Sequence, residues 1–478
     1  MTHESSECAS CGGESVRDRT AENDPLLCSL CTLDGTIEPN FRTTVYRITI
    51  DNLIDTEKKI QDVRTALQRA YAFVSLCPYW RDTHHLPLHL DGGEDARIIT
   101  TRLARIDNKE VTFLFLLENL VGRTIPRVSE IAWNTFGFRV ENNHITELGL
   151  YKQRLTSLPS IIEDLSYLKR LYLSFNRLTS LPASIGRLSD LEHLDLSWNR
   201  LSSLPASIGR LSRLKSLRLY NNKLSSLPAS IGRLSRLEHL ELQHNKLNSL
   251  PDTFFLLSAL RNLSLGGNQL VSLPESFGQL TNLQSLDLQL NQLVSLPESF
   301  KNLTNLQTVA LEENLLTSLP SKFGNFRSLR TLSLRDNQLS SLTESFFQLS
   351  ELLSLNLGGN VFPSLPVNIG RLTNLKEIFI SFSQVASLPA SIGDLTHLKD
   401  IQLYSNQLSS LPESFSNLKN VETLDLRWNQ LSNLPPCLKA LFKLRILDLR
   451  YNDMLKAKAQ KYASQKEVQD LFNDTLKK

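Results

Sequence analysis

Leu168-Lys169-Arg170-Leu171-Tyr172-Leu173-Ser174-Phe175-Asn176-Arg177-Leu178-Thr179-Ser180-Leu181-Pro182 is a pattern that this chain repeats at a fixed interval of 23 residues. Asn176 is followed by Asn199, Asn222, Asn245, Asn268, Asn291, Asn314, Asn337 and Asn360, then by Asn406, Asn429 and Asn452. Only a repeated structural unit keeps such a spacing. Most of the chain is therefore read as a stack of like segments, each contacting its neighbours, rather than as a globule around one central core.

The chemistry inside one unit dictates its shape. Leu171 and Leu173 alternate with Arg170, Tyr172 and Ser174, which predicts one short strand with its leucines inward and the other three outward. Asn176 stands where the chain turns away, and its amide both donates and accepts, so stacked Asn side chains can satisfy the backbone of a buried turn. Pro182 holds Leu181 extended, and Gly186 lets the turn on the opposite side close. One unit has too few apolar side chains to offset the ordering of its backbone, so copies fold only against each other. A period of about 20 to 29 residues with this motif reads as a leucine-rich repeat. The expected fold class is an α/β solenoid, a leucine-rich repeat horseshoe with a parallel concave β-sheet, over residues 145–452.

Counting by 23 places fourteen register positions between 153 and 452, of which two lack Asn: Gln153 and Ser383. Gln153 is expected to mark an atypical first repeat. Ser383 is read as a tolerated loss of a hydrogen bond, or else as a local hinge. Thr343 replaces the proline of its repeat.

A second signal lies near the amino terminus. Cys8-x-x-Cys11 and Cys28-x-x-Cys31 have the spacing of a tetrahedral zinc site, and with sulfur at all four positions the Zn2+ would be structural. Two disulfides would require an oxidising compartment, whereas Met1 to Ser10 is polar and has no apolar run for a signal peptide. The expected location is cytoplasmic. No stretch is apolar and long enough to span a membrane, and a net charge of +3 over 478 residues argues by itself for neither nucleic acid nor lipid.

The expected organisation is a zinc ribbon-like module over 1–40, a small α/β domain over 41–109, a linker and amino-terminal cap with a hairpin over 110–144, the repeats over 145–452 and a capping helix over 453–478. Within 41–109 the order strand, helix, strand, helix is similar to the carboxy-terminal domain of the ribosomal stalk protein and its adaptor relatives. The run Val111 to Val121 reads either as a last strand of that domain or as an amphipathic helix closed by Gly122. Phe136 to Val140 and His144 to Leu150 flank Glu141-Asn142-Asn143 as a hairpin. Ala457 to Leu476, with Tyr462, Val468, Leu471 and Phe472, is expected to cover the last repeat.

No phosphate-binding loop, nucleophile elbow or metalloprotease pair occurs, so the chain is read as non-enzymatic. Its copies of Leu181-Pro182-Ala183-Ser184-Ile185-Gly186-Arg187-Leu188 resemble the 23-residue class of intracellular leucine-rich repeat proteins, similar to the Ras-suppressor and plant Ras-group-related proteins. That resemblance implies a protein-interaction scaffold, in some members serving small GTPases or other signalling proteins; a nucleic-acid or translation-associated adaptor is the alternative. By register the outward residues form two aromatic groups. The first holds Tyr172, Phe175, His193, Trp198, Tyr220, His239 and His244, and the second Phe379, Phe382, Tyr404, Arg427, Trp428, Arg450 and Tyr451. Rings beside cations are the composition of interface hot spots, so these residues are the expected partner-binding sites. Arg187, Arg210 and Arg233 would line a convex edge.

Overall fold

The computed structural model describes Leu103, residues 106–453 and residues 460–474. Cys8, Cys11, Cys28 and Cys31, and nearly all of the 41–109 segment, lie outside the described residues. The described residues fall into two compact units, one holding 106–131 with 136–148 and the other 132–135 with 149–453 and 460–474.

In the first unit, helix α1 (Asn108–Val121) starts where the Asp107 carboxylate accepts from Lys109 N at 2.8 Å. It ends at Gly122, whose left-handed φ of 75° lets its N–H bond Glu118 O. Of the two readings of Val111 to Val121, the helix is therefore the observed one, and it begins two residues before the boundary drawn at 110. Strands β1 (Phe136–Glu141) and β2 (His144–Leu150) form the hairpin. Asn142 and Asn143 both take positive φ, 51° and 68°, the turn geometry that matches strand twist. Buried Glu110 accepts from Ile145 N at 2.8 Å and faces His144 Nδ1 at 3.2 Å. Burial pushes its carboxyl above the usual range, and these two contacts offset part of the rise.

In the second unit, three-residue parallel strands run in chain order from β3 (Arg170–Tyr172) and β4 (His193–Asp195) through to β14 (Thr423–Asp425) and β15 (Ile446–Asp448). The register is one repeat per strand, so Leu171 faces Leu194 and Leu332 faces Leu355. The far end differs from the single helix expected there. β16 (Lys461–Tyr462) pairs antiparallel with β15, placing buried Tyr462 opposite Leu447, and only then does α2 (Gln465–Asp474) begin. A strand closes the free sheet edge by backbone bonds, which a helix lying on it could not do.

The asparagine ladder has a fixed bonding scheme. Asn268 Nδ2 donates to Leu242 O at 3.0 Å and Leu265 O at 2.8 Å, while its Oδ1 accepts from Leu247 N at 3.0 Å. One amide thus ties two successive turns. At the irregular rung, the Ser383 hydroxyl has one proton for Leu357 O at 3.3 Å and Ser381 O at 3.2 Å. Asn268→Leu is expected to cost about 2 kcal/mol and Ser383→Ala less than about 1, because the first leaves the buried Leu247 N–H without its acceptor and removes one of two donors from Leu242 O and Leu265 O, whereas the second removes a single hydroxyl proton. Chemical denaturation of both variants is the check, and equal midpoint shifts would remove the ladder from the account of stability.

Except at Phe323–Asn325, where Lys322 precedes with φ −110° and ψ 36°, the 3-10 turn that each repeat makes opposite the sheet is entered from an extended residue, as at Pro182 with φ −66° and ψ 147°. Thr343 adopts the same angles, −67° and 151°, without the ring that enforces them. Repeats approach most closely here: a Cβ on Gly209 would stand 2.2 Å from Ser230 O, so only glycine fits. Under these turns the buried residues change from Ile185, Ile208 and Ile231 to Phe254, Phe277, Phe300, Phe323 and Phe346. Phe277, Phe300, Phe323 and Phe346 stack in a row at 6.0–6.2 Å between centroids.

Candidate partner-binding surface

The residue before each ladder position points out of the sheet face, and it does so from an unusual backbone. Phe175, Trp198, His244, Leu290, Glu313, Phe382, Trp428 and Tyr451 all have φ between 52° and 62°, in the left-handed region. For a residue with a Cβ this conformation costs on the order of 1–3 kcal/mol. Gly267 and Gly359 occupy the same register position with φ of 63° and 66°, where no such cost applies.

At the amino-terminal end these residues join a continuous row of rings. Trp133 meets Tyr151 edge-on at 5.5 Å, Tyr151 meets Phe175 at 5.3 Å, Phe175 stacks on Trp198 at 4.9 Å, and Trp198 meets Tyr220 edge-on at 6.4 Å. Lys152 Nζ lies 5.2 Å from the Tyr151 ring and 5.5 Å from that of Phe175. Trp133 is 51% exposed and Trp198 43%. Trp133 and Tyr151 were not among the sequence candidates. Counting back 23 residues from Phe175 reaches Lys152, which hides that Tyr151 shares the register of Tyr220 and Tyr404; Trp133 precedes the repeats and carried no signal. Tyr172 and His193 are half-buried on the neighbouring strands, and burial, then Arg170, holds the His193 imidazole below its usual range. His239 and His244 are exposed. The His244 ring lies over Gly267, where a Cβ would stand 2.5 Å from its Nδ1.

The second group separates into two ring pairs. Phe382 and Tyr404 meet edge-on at 5.1 Å, and Trp428 and Tyr451 stack at 4.1 Å. The Arg427 guanidinium stands 5.1 Å over the Tyr404 ring between them. Phe382, Trp428 and Tyr451 are each more than half exposed, and Phe379 is half-buried beside Asn356 and Gln402. The arginines are not free cations. Arg427 donates to both Asp425 oxygens, Nε to Oδ1 at 2.9 Å and Nη2 to Oδ2 at 2.6 Å, and Arg450 does the same to Asp448. The bond to Asp425 holds the Arg427 guanidinium above its ordinary value. The cations beside these rings are therefore already neutralised. Nearby Asp400 is pushed up by burial, with Glu377 and Asp425 adding to the rise.

On the convex side Arg187 pairs with Glu163 and Arg213 with Asp190, each at 2.7 Å. Such exposed pairs contribute about 0–1 kcal/mol. Arg210 and Arg233 flank an open cavity of about 410 Å³ with Ala206, Ser207, Thr253 and Leu256. Among the described residues no His, Cys, Asp and Glu side chains gather as a metal site, and no helix is long and apolar enough to cross a membrane.

Leucine-rich repeat models match residues 143–201, 204–288, 282–303, 296–339, 373–431 and 396–454. A leucine-rich repeat protein of Leptospira interrogans is 36% identical, with 63% of this chain and 83% of that one covered and a TM-score of 0.56. The chain belongs to the leucine-rich repeat proteins. The leucine-rich repeat ectodomain of the Arabidopsis thaliana membrane receptor kinase GASSHO1/SCHENGEN3, solved in complex with Casparian strip integrity factor 2, is 27% identical over 71% of this chain and 50% of that one, with a TM-score of 0.53. Drosophila Toll in its complex with Spatzle is 28% identical over 65% and 43%, with a TM-score of 0.58. The repeat protein thus spans half or less of these two receptor chains. No curated protein matches it.

Proposed function

We propose that the chain is a non-enzymatic scaffold that binds a partner protein on the sheet face through the two aromatic groups. One observation carries this reading: large apolar rings stand exposed on left-handed backbone, where glycine would relieve the strain and a polar residue would suit water better. Each ring is thus unfavourable for the free protein on both counts. Desolvation by a partner supplies the compensating term, and rings of low conformational entropy on a rigid sheet are suited to that role. The receptors that resemble this chain are solved with protein or peptide ligands. A partner linked to small GTPases or other signalling in the cytosol follows from the resemblance of the repeats.

A photoreactive phenylalanine analogue in place of Trp198 or Trp428 is expected to crosslink a partner in the source cell. The same analogue in place of Ala206 or Leu256 is expected to crosslink none. The reverse pattern would move the site to the convex side.

The proposal extends to the amino-terminal segment. Cys8, Cys11, Cys28 and Cys31 would hold one structural zinc, making residues 1–40 and the 41–109 domain a second contact or tether. Freshly purified, tag-free protein should contain close to one equivalent, and Cys11→Ser should abolish it without melting the repeats. Less than half an equivalent, or disulfides in protein from a reducing cytosol, would remove this part.

A further inference from the structure

The first five repeats differ from the rest at one more register position. Immediately after the ladder residue stand Arg154, Arg177, Arg200, Lys223 and Lys246, whereas from Gln269 onward that position carries no cation. All five are exposed, and among the described residues none makes an ion pair. Two and three residues beyond them come exposed hydroxyls, as in Thr179-Ser180, Ser202-Ser203 and Ser225-Ser226. Two residues before Arg177 and Arg200 come Phe175 and Trp198 of the ring row. A stripe of unneutralised donors thus runs beside a stripe of rings, in the same repeats.

We propose that this edge binds an extended acidic peptide segment whose carboxylates alternate with apolar side chains, laid across the strands. The proposal rests on the sheet-face reading above and names the chemistry of one partner element. Strands about 4.8 Å apart put the five cations over about 19 Å, which an extended peptide rising about 3.3 Å per residue spans with about six residues. About three carboxylates on one side of that peptide would meet the cations and hydroxyls, and the alternate side chains would meet the rings.

A single-stranded nucleic acid fits the charge but not the rings. Base recognition by stacking needs an open ring face. Phe175 and Trp198 lie with planes 13° apart and centroids 4.9 Å apart, so each covers a face of the other, and Tyr151 and Tyr220 set their edges or faces against the ends of that pair. Inside the row the rings offer their edges, which suit aliphatic and aromatic side chains. The carboxy-terminal rings lack the charge, since Arg427 and Arg450 are held by Asp425 and Asp448 and the following positions are Gln384, Gln407 and Gln430.

The full chain would be titrated, by fluorescence anisotropy, against a labelled peptide of about twelve residues alternating Glu and Tyr, a Gln-Tyr analogue and an oligothymidylate of equal length. The expected result is binding of the Glu-Tyr peptide at about 50 mM salt that weakens about tenfold or more by about 300 mM, and the Gln analogue about tenfold weaker. Arg177→Glu with Arg200→Glu and Lys223→Glu should abolish it, whereas Gln384→Glu with Gln407→Glu and Gln430→Glu should not. No binding of the Glu-Tyr peptide, unchanged binding by the Arg/Lys variant, or tighter binding of the oligothymidylate would overturn the proposal. Failure here leaves the sheet-face reading standing if rings still crosslink a partner, while loss of those crosslinks with peptide binding intact would overturn only that reading.

Discussion

Replacing Phe175, Trp198 and Tyr220 together by Ala is expected to lower affinity for the crosslinked partner by about a hundredfold or more, and Phe382, Trp428 and Tyr451 together by a similar factor. Each truncated hot-spot ring is worth about 2 kcal/mol or more, and such terms overlap, so even a partial sum exceeds a hundredfold. Folding should be nearly untouched, because these side chains lie outside the leucine core; circular dichroism and the melting curve are the controls. Glu312→Ala with Asp336→Ala, in the middle repeats, should cost little. If both ring variants bind like the parent while charge reversal at Arg187, Arg210 and Arg233 removes binding, the convex edge is the site.

Phe300→Ala is expected to destabilise the repeats by about 3–5 kcal/mol. Phe300 is fully buried between Phe277 at 6.1 Å and Phe323 at 6.2 Å, with Phe326 edge-on at 5.7 Å, so its loss opens a void that three other rings line. Aromatic pairs add about 0.5–1.5 kcal/mol beyond the area they bury. Phe415→Ala, which truncates a fully buried ring under the same turn of a repeat outside the row, should cost less by about 1 kcal/mol, the share that neighbouring rings add. Denaturant midpoints for the two variants decide between them. Equal shifts would show that the row adds nothing beyond ordinary core packing.

The repeat register carried most of the fold in the sequence, because a leucine or asparagine out of place by one residue would reverse the face it serves. Asn268 and its equivalents bond as their donor and acceptor inventory requires. What the register did not carry was backbone conformation: nothing in the letters Phe175 or Trp198 announces a positive φ, although Gly267 and Gly359 in the same column were a hint. The strand at Lys461–Tyr462 was hidden because a two-residue element has no periodicity to read. Candidate site residues were legible as outward positions, yet the neutralisation of Arg427 by Asp425 depends on two residues of one strand-to-turn segment folding back on each other, and the chain of rings from Trp133 crosses the start of the repeats, where counting by 23 stops.

The asparagine ladder also has a direction. Each Asn takes an N–H from the repeat before it, as Asn268 does from Leu247, and donates back to that repeat, as it does to Leu242. Cutting the array after any repeat therefore leaves an orphaned amide in the new last turn, whereas cutting before a repeat leaves the first Asn with Nδ2 still bonded within its own turn. Shortened versions of this protein should tolerate loss of leading repeats better than loss of trailing ones, and a graft of its carboxy-terminal strand and helix onto a shortened array would have to bring the Asn452 turn with it, because Asn452 Oδ1 is what receives Leu431 N.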